Sequence, residues 1–282
     1  MAPLVWLVTG CSCGFGKELA NAILARGDKV IATSRNVDNV KFPGATVFDL
    51  DVTAPQEEID AKILGALEIH GRIDVLVNNA GFIEFGTLEE TSEAKWLSQF
   101  NTNVFGAAKV TRAILPHFRQ RREGVAVFIS SVSGWSGDPF AGVYCGSKFA
   151  LEGIVESFQR EVAPLGIKCL LVELGYFRTD IIARPQIKAA VSDIDDYAAF
   201  AKPFHDGLPR INGKQLGDPK KGVEVIIDVV KREGQAADRP MPFRLPLGSD
   251  CMKVMREKCV DTLKVLDDWE DIICSTDFPA GK

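Results

Sequence analysis

The stretch Thr9-Gly10-Cys11-Ser12-Cys13-Gly14-Phe15-Gly16 decides the fold of this 282-residue chain. It follows an apolar run over residues 4–8 and precedes a helical pattern over 17–26. A strand, a glycine turn and a helix in this order form a cradle for phosphate, because glycine lets the backbone approach a ligand and a helix N-terminus attracts negative charge. The alternative is a tight turn that needs glycine only for positive φ. The flanking strand and helix favour dinucleotide binding.

Short apolar segments alternate with helical patterns along the rest of the chain, as expected for βαβ units in a parallel sheet. We predict a long helix over residues 93–121. The chain length and the apolar fraction of 46% suit one large domain. The predicted fold class is α/β: a single Rossmann-like doubly wound parallel sheet of about seven strands with helices on both faces. The predicted strands lie near 4–9, 29–34, 45–50, 73–78, 125–131, 167–174 and 241–245.

Tyr144 and Lys148 are the strongest candidates for chemistry, because residues four apart share one face of a helix. A free phenol has a pKa of about 10, and a nearby ammonium group favours its ionised form. We therefore expect Lys148 to lower the pKa of Tyr144. Two further motifs end predicted strands, Ser130-Ser131 and Asn78-Asn79-Ala80-Gly81. Each of these alone would be an ordinary strand cap or turn.

Together these motifs resemble the short-chain dehydrogenase/reductase family over residues 4–179, and the likeness is to a ketoreductase type that prefers NADP(H). The resemblance implies that Tyr144 is the general acid and base and that Ser131 binds the substrate oxygen. It also implies that Lys148 holds the nicotinamide ribose and that Asn103 positions a water molecule linking Lys148 to solvent. Family members commonly pair through the helices that carry Asn103 and Tyr144, so a homo-oligomer is expected.

The end of the second strand predicts which nicotinamide cofactor is used. An acidic residue there would bind the adenosine ribose hydroxyls, but this chain has Ser34 followed by Arg35. A guanidinium group suits a 2′-phosphate, which favours NADP(H) over NAD(H), although Arg35 could be a solvated strand-end charge. By resemblance, Asp51 contacts the adenine and Thr179 the carboxamide. The predicted cofactor-binding residues are Gly10, Ser12, Gly14, Phe15, Gly16, Arg35, Asp51, Asn78, Ala80, Gly81, Tyr144, Lys148 and Thr179.

Substrate choice is expected to lie in residues 176–217, an irregular aromatic stretch that we predict to be a lid; its aromatic residues could instead anchor a long loop. With Phe82, Trp135 and Phe140 at other strand-end loops, the pocket is predicted to take a hydrophobic or aromatic ketone. Leu174 stands where the family has a proline, and loss of the proline ring is expected to loosen that turn. Residues 251–271 are predicted to form a C-terminal helix.

Composition excludes several other classes of function. Lys and Arg number 33 against 38 Asp and Glu, a net charge of −5, and no basic stripe indicates nucleic-acid binding. Seven scattered cysteines favour a reducing, cytoplasmic location. Cys11 and Cys13 could hold a metal, but the histidines lack ligand spacing and no metal is predicted. We find neither a signal peptide nor a run approaching the roughly 20 apolar residues of a membrane span.

Two other functions remain open at this point. A protein of this fold could hold NADP(H) as a sensor or scaffold without turning over a substrate. Alternatively, Gly10-Cys11-Ser12-Cys13-Gly14 fits the GxSxG nucleophile turn of a serine hydrolase, with Ser12 as nucleophile and His205 as the only plausible downstream base. The hydrolase alternative leaves Gly16 and Tyr144 unexplained.

Overall fold

A parallel sheet forms the centre of the protein in the computed structural model, which describes residues 2–40, 42–183 and 192–278. Seven strands lie in the described chain, in the order β3-β2-β1-β4-β5-β6-β7. Every strand pairing is parallel, so the predicted doubly wound α/β sheet is confirmed. The strands are β1 Val5–Val8, β2 Lys29–Ser34, β3 Thr46–Asp49, β4 Val75–Asn78, β5 Gly124–Ser131, β6 Ile167–Leu174 and β7 Arg244–Leu247.

Helices connect the strands and cover both faces of the sheet. The long helix predicted over residues 93–121 is two α-helices joined by a π-helical turn at Asn101–Gly106. The last strand begins three residues later than predicted, because Pro240 and Pro242 cannot donate to a strand ladder. The helices are α1 Gly14–Ala25, α2 Gln56–His70, α3 Glu93–Phe100, α4 Ala107–Arg121, α5 Gly142–Val162, α6 Asp195–Ile211, α7 Pro219–Lys231, α8 Ser249–Asp268 and α9 Glu270–Cys274.

The core consists of two apolar layers, one on each face of the sheet. On one face, alternate strand residues such as Leu7 and Ile31 pack against α2, α4 and α5. On the other face, Trp6 and Val30 pack against α1 and α7. Side chains alternate along a strand, so adjacent residues of β1 are buried in different layers.

The order of the strands reverses between β1 and β4, which places a crevice at their carboxyl ends. In open α/β sheets, ligands bind where this reversal occurs. Within the described ranges, no helix combines the length and the apolar character needed to cross a membrane.

Candidate active site

A cleft of about 750 Å³ opens at the carboxyl ends of the strands. One end is lined by the glycine turn after β1, by Arg35 after β2 and by Asp51 after β3. The other end lies between the loop after β4 and helix α6. The β5 end and the start of α5 lie between these two ends and supply Ser131, Tyr144 and Lys148.

The glycine turn packs so closely against the loop after β4 that two of its positions leave no room for a side chain. Gly10 and Gly14 have φ of 71° and 58°, values that favour glycine. A Cβ at Gly10 would lie 2.8 Å from the Cα of Ala80, and a Cβ at Gly16 would overlap the Asn79 amide. The turn therefore holds α1 close to the loop after β4 and leaves the helix N-terminus available to phosphate.

Asn79 ties the glycine turn to the loop after β4. Its Nδ2 donates to the carbonyl oxygens of Thr9 at 2.8 Å and Gly10 at 3.0 Å. The structure does not bring Asn78, a predicted cofactor ligand, into the cleft. Asn78 is buried and its Nδ2 donates to Oγ1 of Thr111 at 3.0 Å, because adjacent strand residues point to opposite faces.

The side chains at the nucleotide end suit polar contacts. Arg35 is exposed at the end of β2 and forms no ion pair with a described residue. One Asp51 carboxylate oxygen accepts from the backbone N and the Oγ1 of Thr53, at 2.9 and 2.7 Å. Ser12, Phe15, Gly81 and Thr179 also line the cleft, whereas Gly16 contributes through packing.

Cys11 and Cys13 lie on different sides of the turn. Cys11 is fully buried, its Sγ donates to the carbonyl oxygen of Val8 at 3.2 Å, and burial raises the pKa of its thiol to about 12. Cys13 lines the cleft. A metal needs a thiolate, which burial disfavours at Cys11.

Three predicted catalytic residues meet in the middle of the cleft. Tyr144 and Lys148 lie one turn apart on α5, and Lys148 Nζ is 5.8 Å from the centroid of the Tyr144 ring. Lys148 Nζ donates to the carbonyl oxygen of Ile129 at 2.7 Å, which holds the ammonium group against β5. Ser131 Oγ accepts from the backbone N of Ser133 at 3.1 Å, and the serine side chain interacts with the Tyr144 phenol.

Burial controls the ionisation of Tyr144 and Lys148. It raises the pKa of Tyr144 to about 12, while the interaction with Ser131 lowers it by a smaller amount. Burial also lowers the pKa of Lys148 to about 8. The expected lowering of the tyrosine pKa by Lys148 is therefore not seen, because loss of hydration disfavours both charged forms. Tyr144 is a protonated phenol at neutral pH.

Asn103 lies outside the cleft, in the π-helical turn. Its Oδ1 accepts from the backbone N of Phe82, and its Nδ2 donates to the Phe82 carbonyl oxygen, both at 3.1 Å. The same Nδ2 donates to Ser147 Oγ at 3.2 Å. Asn103 thus links the loop that carries Phe82 to Ser147 on α5.

Hydrogen bonds hold the turn in which Leu174 replaces the family proline. The backbone N of Gly175 donates to the carbonyl oxygen of Leu247 at 2.8 Å. The backbone N of Tyr176 donates to a carboxylate oxygen of Asp250 at 2.7 Å. Contacts with β7 and α8 thus constrain the turn that the proline ring would have stiffened.

The substrate end of the cleft is mostly apolar but contains a carboxylate. Helix α6 contributes Phe204 and Leu208. Residues 184–191 of the predicted lid lie outside the described residues. Phe82 lines the cleft as predicted, but two other aromatic residues do not. The Arg244 guanidinium group lies over the Trp135 ring, and Phe140 contacts Phe204 in a tilted arrangement. Asp138 also lines this end, and no sequence motif marks it.

The parallel sheet and the grouped serine, tyrosine and lysine define a class, the oxidoreductases built on a dinucleotide-binding fold. A family model described as short chain dehydrogenase matches residues 4–188. The chain therefore belongs to the short-chain dehydrogenase family and is an oxidoreductase, which confirms the resemblance to the family.

Similar proteins extend over nearly the whole chain. Oxidoreductase BOA17 of Botryotinia fuckeliana is 31% identical over 276 residues, covering 95% of this chain and 97% of the relative. The 3-ketodihydrosphingosine reductase of Bacteroides thetaiotaomicron is 37% identical over 251 residues, covering 88% and 89%. The crystal structure of a short-chain dehydrogenase from Streptomyces avermitilis is 37% identical, with a TM-score of 0.85, and covers 98% of this chain and 99% of its own.

Proposed function

We propose that this protein reduces a hydrophobic ketone to a secondary alcohol with NADPH, and that Tyr144 donates the proton. The main observation that supports the proposal is that Ser131, Tyr144 and Lys148 line the same cleft as the glycine turn. A bound NADPH supplies the hydride for the carbonyl carbon. The carbonyl oxygen then gains negative charge and needs a proton from a group within hydrogen-bond distance.

Each of the three side chains has a role that suits its surroundings. Tyr144 keeps its proton at neutral pH because burial raises its pKa to about 12, so it can donate to an alkoxide. The Ser131 hydroxyl, held by the backbone N of Ser133, hydrogen-bonds the same oxygen. The ammonium group of Lys148 orients the ribose hydroxyls of the cofactor and stabilises negative charge on the phenol.

The cofactor preference is proposed from the nucleotide end of the cleft. Arg35 is an exposed cation at the end of β2, where Ser34 leaves no carboxylate to repel a 2′-phosphate. A guanidinium group binds phosphate by charge-assisted hydrogen bonds. These features support NADP(H) over NAD(H).

The substrate class is proposed from the opposite end. Apolar side chains from two loops and α6 line it, which suits a hydrophobic ketone. The keto compound in the name of the Bacteroides relative agrees with a ketone substrate. We also propose that the described residues of the stretch 176–217, which include α6, form the lid over this pocket.

Oligomerisation is proposed through α4 and α5. Helix α5 exposes Phe149 and Ile154, and Phe105 is exposed in the π-helical turn before α4. Burying such residues between two copies removes apolar surface from water.

The test is a panel of ketones assayed by the loss of NADPH absorbance, with wild-type protein and Tyr144→Phe. We expect the variant to lose more than about a hundredfold in kcat with little change in NADPH affinity, because it removes the proton but retains the ring. Near-full activity of Tyr144→Phe would contradict the assigned role. NADPH binding without reduction of any carbonyl would favour a sensor or scaffold.

The serine hydrolase alternative has no support from the cleft. None of the described residues that line it is a histidine, and the Ser12 hydroxyl contacts the Cys13 thiol. Ester hydrolysis without cofactor, lost in Ser12→Ala, would revive this alternative.

A further inference from the structure

We propose that helices α8 and α9 pair with the same two helices of a second copy of this chain, in antiparallel orientation and centred on Leu263. This interface is separate from the cleft and from the pairing proposed above through α4 and α5. A twofold axis would pass between the two Leu263 side chains, so each copy presents the same surface to the other.

The first argument is that α8 leaves the body of the protein after its first turns. Cys251 is buried and its Sγ donates to the carbonyl oxygen of Glu173 at 3.2 Å, and Lys258 Nζ donates to the carbonyl oxygen of Trp135. Every residue from 256 to 278 is exposed. Most of the stability of a protein helix comes from packing of its apolar face, so a partner on this helix would stabilise it.

The second argument is an apolar stripe along the exposed part of α8. Residues spaced by three or four positions lie on one face of a helix, and two helices pack along a seam of this spacing. Such a stripe is formed here by Met252, Met255, Cys259, Leu263 and Leu266. Met252, Leu263 and Leu266 are 52%, 59% and 50% exposed. Helix α9 and the residue before it extend the exposed apolar surface with Trp269, Ile272 and Ile273.

The third argument is the charge along these helices, which selects both the partner and its direction. Residues 250–264 carry four basic and three acidic side chains, a net charge of +1, whereas residues 265–278 carry five acidic side chains and no basic one. A parallel pair would place the two acidic segments side by side. An antiparallel pair places each acidic segment against the four basic side chains of the other copy, which is electrostatically favourable.

The centre of the pair follows from two side chains at its ends. Arg256 and Glu270 are exposed, and neither forms an ion pair within the described ranges of the chain. Both lie seven residues from Leu263, one on each side. In an antiparallel pair centred on Leu263, Arg256 of each copy therefore lies opposite Glu270 of the other.

The same charges disfavour a lipid surface as the partner. Helices that lie on membranes usually carry Lys and Arg on their polar face, because the lipid surfaces that they bind are often negative. The acidic residues 265–278 would be repelled by such a surface. A second copy of the chain supplies both an apolar seam and the basic side chains that these residues lack.

The test is the molar mass of the full chain in solution, measured by light scattering after gel filtration. We expect the variant with both Leu263→Glu and Leu266→Glu to have half the mass of the wild type, because an unpaired carboxylate is costly to bury in an apolar seam. Val265→Glu is the matched control and should keep the wild-type mass, since Val265 is exposed but projects away from the stripe. Equal masses for the wild type and the double variant would overturn the proposal.

Cysteine cross-linking tests the direction of the pair, in a background where the exposed Cys259 and Cys274 are replaced by serine. Leu263→Cys lies opposite its own copy in the antiparallel arrangement and should give a cross-linked dimer under mild oxidation. Met252→Cys lies opposite its own copy only in a parallel pair and should remain uncross-linked on a non-reducing gel. Cross-linking of Met252→Cys as strongly as Leu263→Cys would overturn the antiparallel pair.

Two further measurements separate this interface from its alternatives. Ile154→Glu on α5 should leave the Leu263→Cys cross-link unchanged, and loss of the cross-link would overturn the proposal in favour of pairing through α5. Phosphatidylcholine vesicles are the probe for a lipid surface. Sedimentation of the wild type with these vesicles, together with a mass equal to that of the double variant, would overturn the proposal in favour of membrane binding. None of these readouts depends on ketone reduction, so this interface and the proposed reaction can fail separately.

Discussion

At the scale of single residues, the proposed reaction depends on two buried groups with opposite pKa shifts. The pKa of Tyr144 is about 12 and that of Lys148 is about 8, and burial is the main cause of both. Because the charged form of each is disfavoured, the phenol keeps its proton over the whole accessible pH range. The lysine is the group whose charge changes near physiological pH.

We expect kcat/KM for ketone reduction to fall as pH rises through about 8. The depressed pKa of Lys148 means that its ammonium charge is present below that pH and is lost above it, while Tyr144 remains protonated. The measurement is a pH–rate profile between pH 6 and 10. The guanidinium group of Lys148→Arg stays charged, so the fall in kcat/KM at high pH should move above pH 10 in this variant. This shift is expected even if the variant is slower than the wild type. A flat wild-type profile would remove Lys148 as the titrating group.

Arg35 should set the preference for NADPH over NADH. In Arg35→Ala we expect the Kd for NADPH to rise by roughly tenfold, the lower end for a charge-assisted hydrogen bond at an exposed site, with little change for NADH. Calorimetry with both cofactors measures this. Arg112→Ala, an exposed residue outside the cleft lining, serves as control. The assignment fails if NADH binds the wild type at least as tightly as NADPH.

At the scale of elements, the turn after β6 shows how this chain replaces a stiff residue with contacts. Leu174 lacks the ring that fixes φ in proline. Asp250, at the start of α8, accepts a hydrogen bond from the backbone N of Tyr176, and Gly175 donates to β7. Tyr176, Phe177 and Thr179 follow and line the cleft, so α8 helps to shape this part of it.

Asp250→Ala should therefore weaken NADPH binding although Asp250 does not line the cleft. We expect KM for NADPH to rise about threefold to tenfold, since the variant loses roughly one hydrogen bond that orders the turn. Steady-state kinetics measures the change. Asp261→Ala, on the exposed part of α8, should leave KM as it is. Equal KM values in the two variants would show that the turn is ordered without Asp250.

At the scale of the whole molecule, Arg244 joins β7 to α5 and to β6. Arg244 on β7 forms ion pairs with Glu152 and Glu156 on α5 and with Glu173 on β6. Glu152 and Glu173 are buried, and burial raises the pKa of Glu173 to about 7. One guanidinium group thus compensates carboxylates from two elements.

Arg244→Met should destabilise the protein by about 3 kcal/mol at pH 8, because it leaves buried carboxylates without their cation. This value is the low end of the range for breaking a buried ion pair, since the Arg244 side chain is 24% exposed. The loss should shrink below about pH 7, where Glu173, with its raised pKa, takes up a proton and no longer carries a buried charge. Urea unfolding at pH 8 and pH 6 measures both effects. Arg160→Met, whose ion pair with Glu156 is exposed, should change stability little at either pH. An equal loss in both variants would contradict this role of Arg244.

The sequence by itself determined the parallel sheet and the glycine turn after β1. It also determined that Ser131 ends β5 and that Tyr144 and Lys148 lie on one face of the next long helix, α5. Local sequence patterns predict these features. The hydrophobic period of a strand or helix, and the preference for glycine at positive φ, depend only on nearby residues. The tertiary structure alone decided that Asn79 rather than Asn78 faces the cleft. It also decided that burial governs the pKa of the tyrosine and that Asp138 lines the same cleft. Those outcomes depend on which elements meet and how much water they exclude, and neither is encoded in the spacing of residues along the chain.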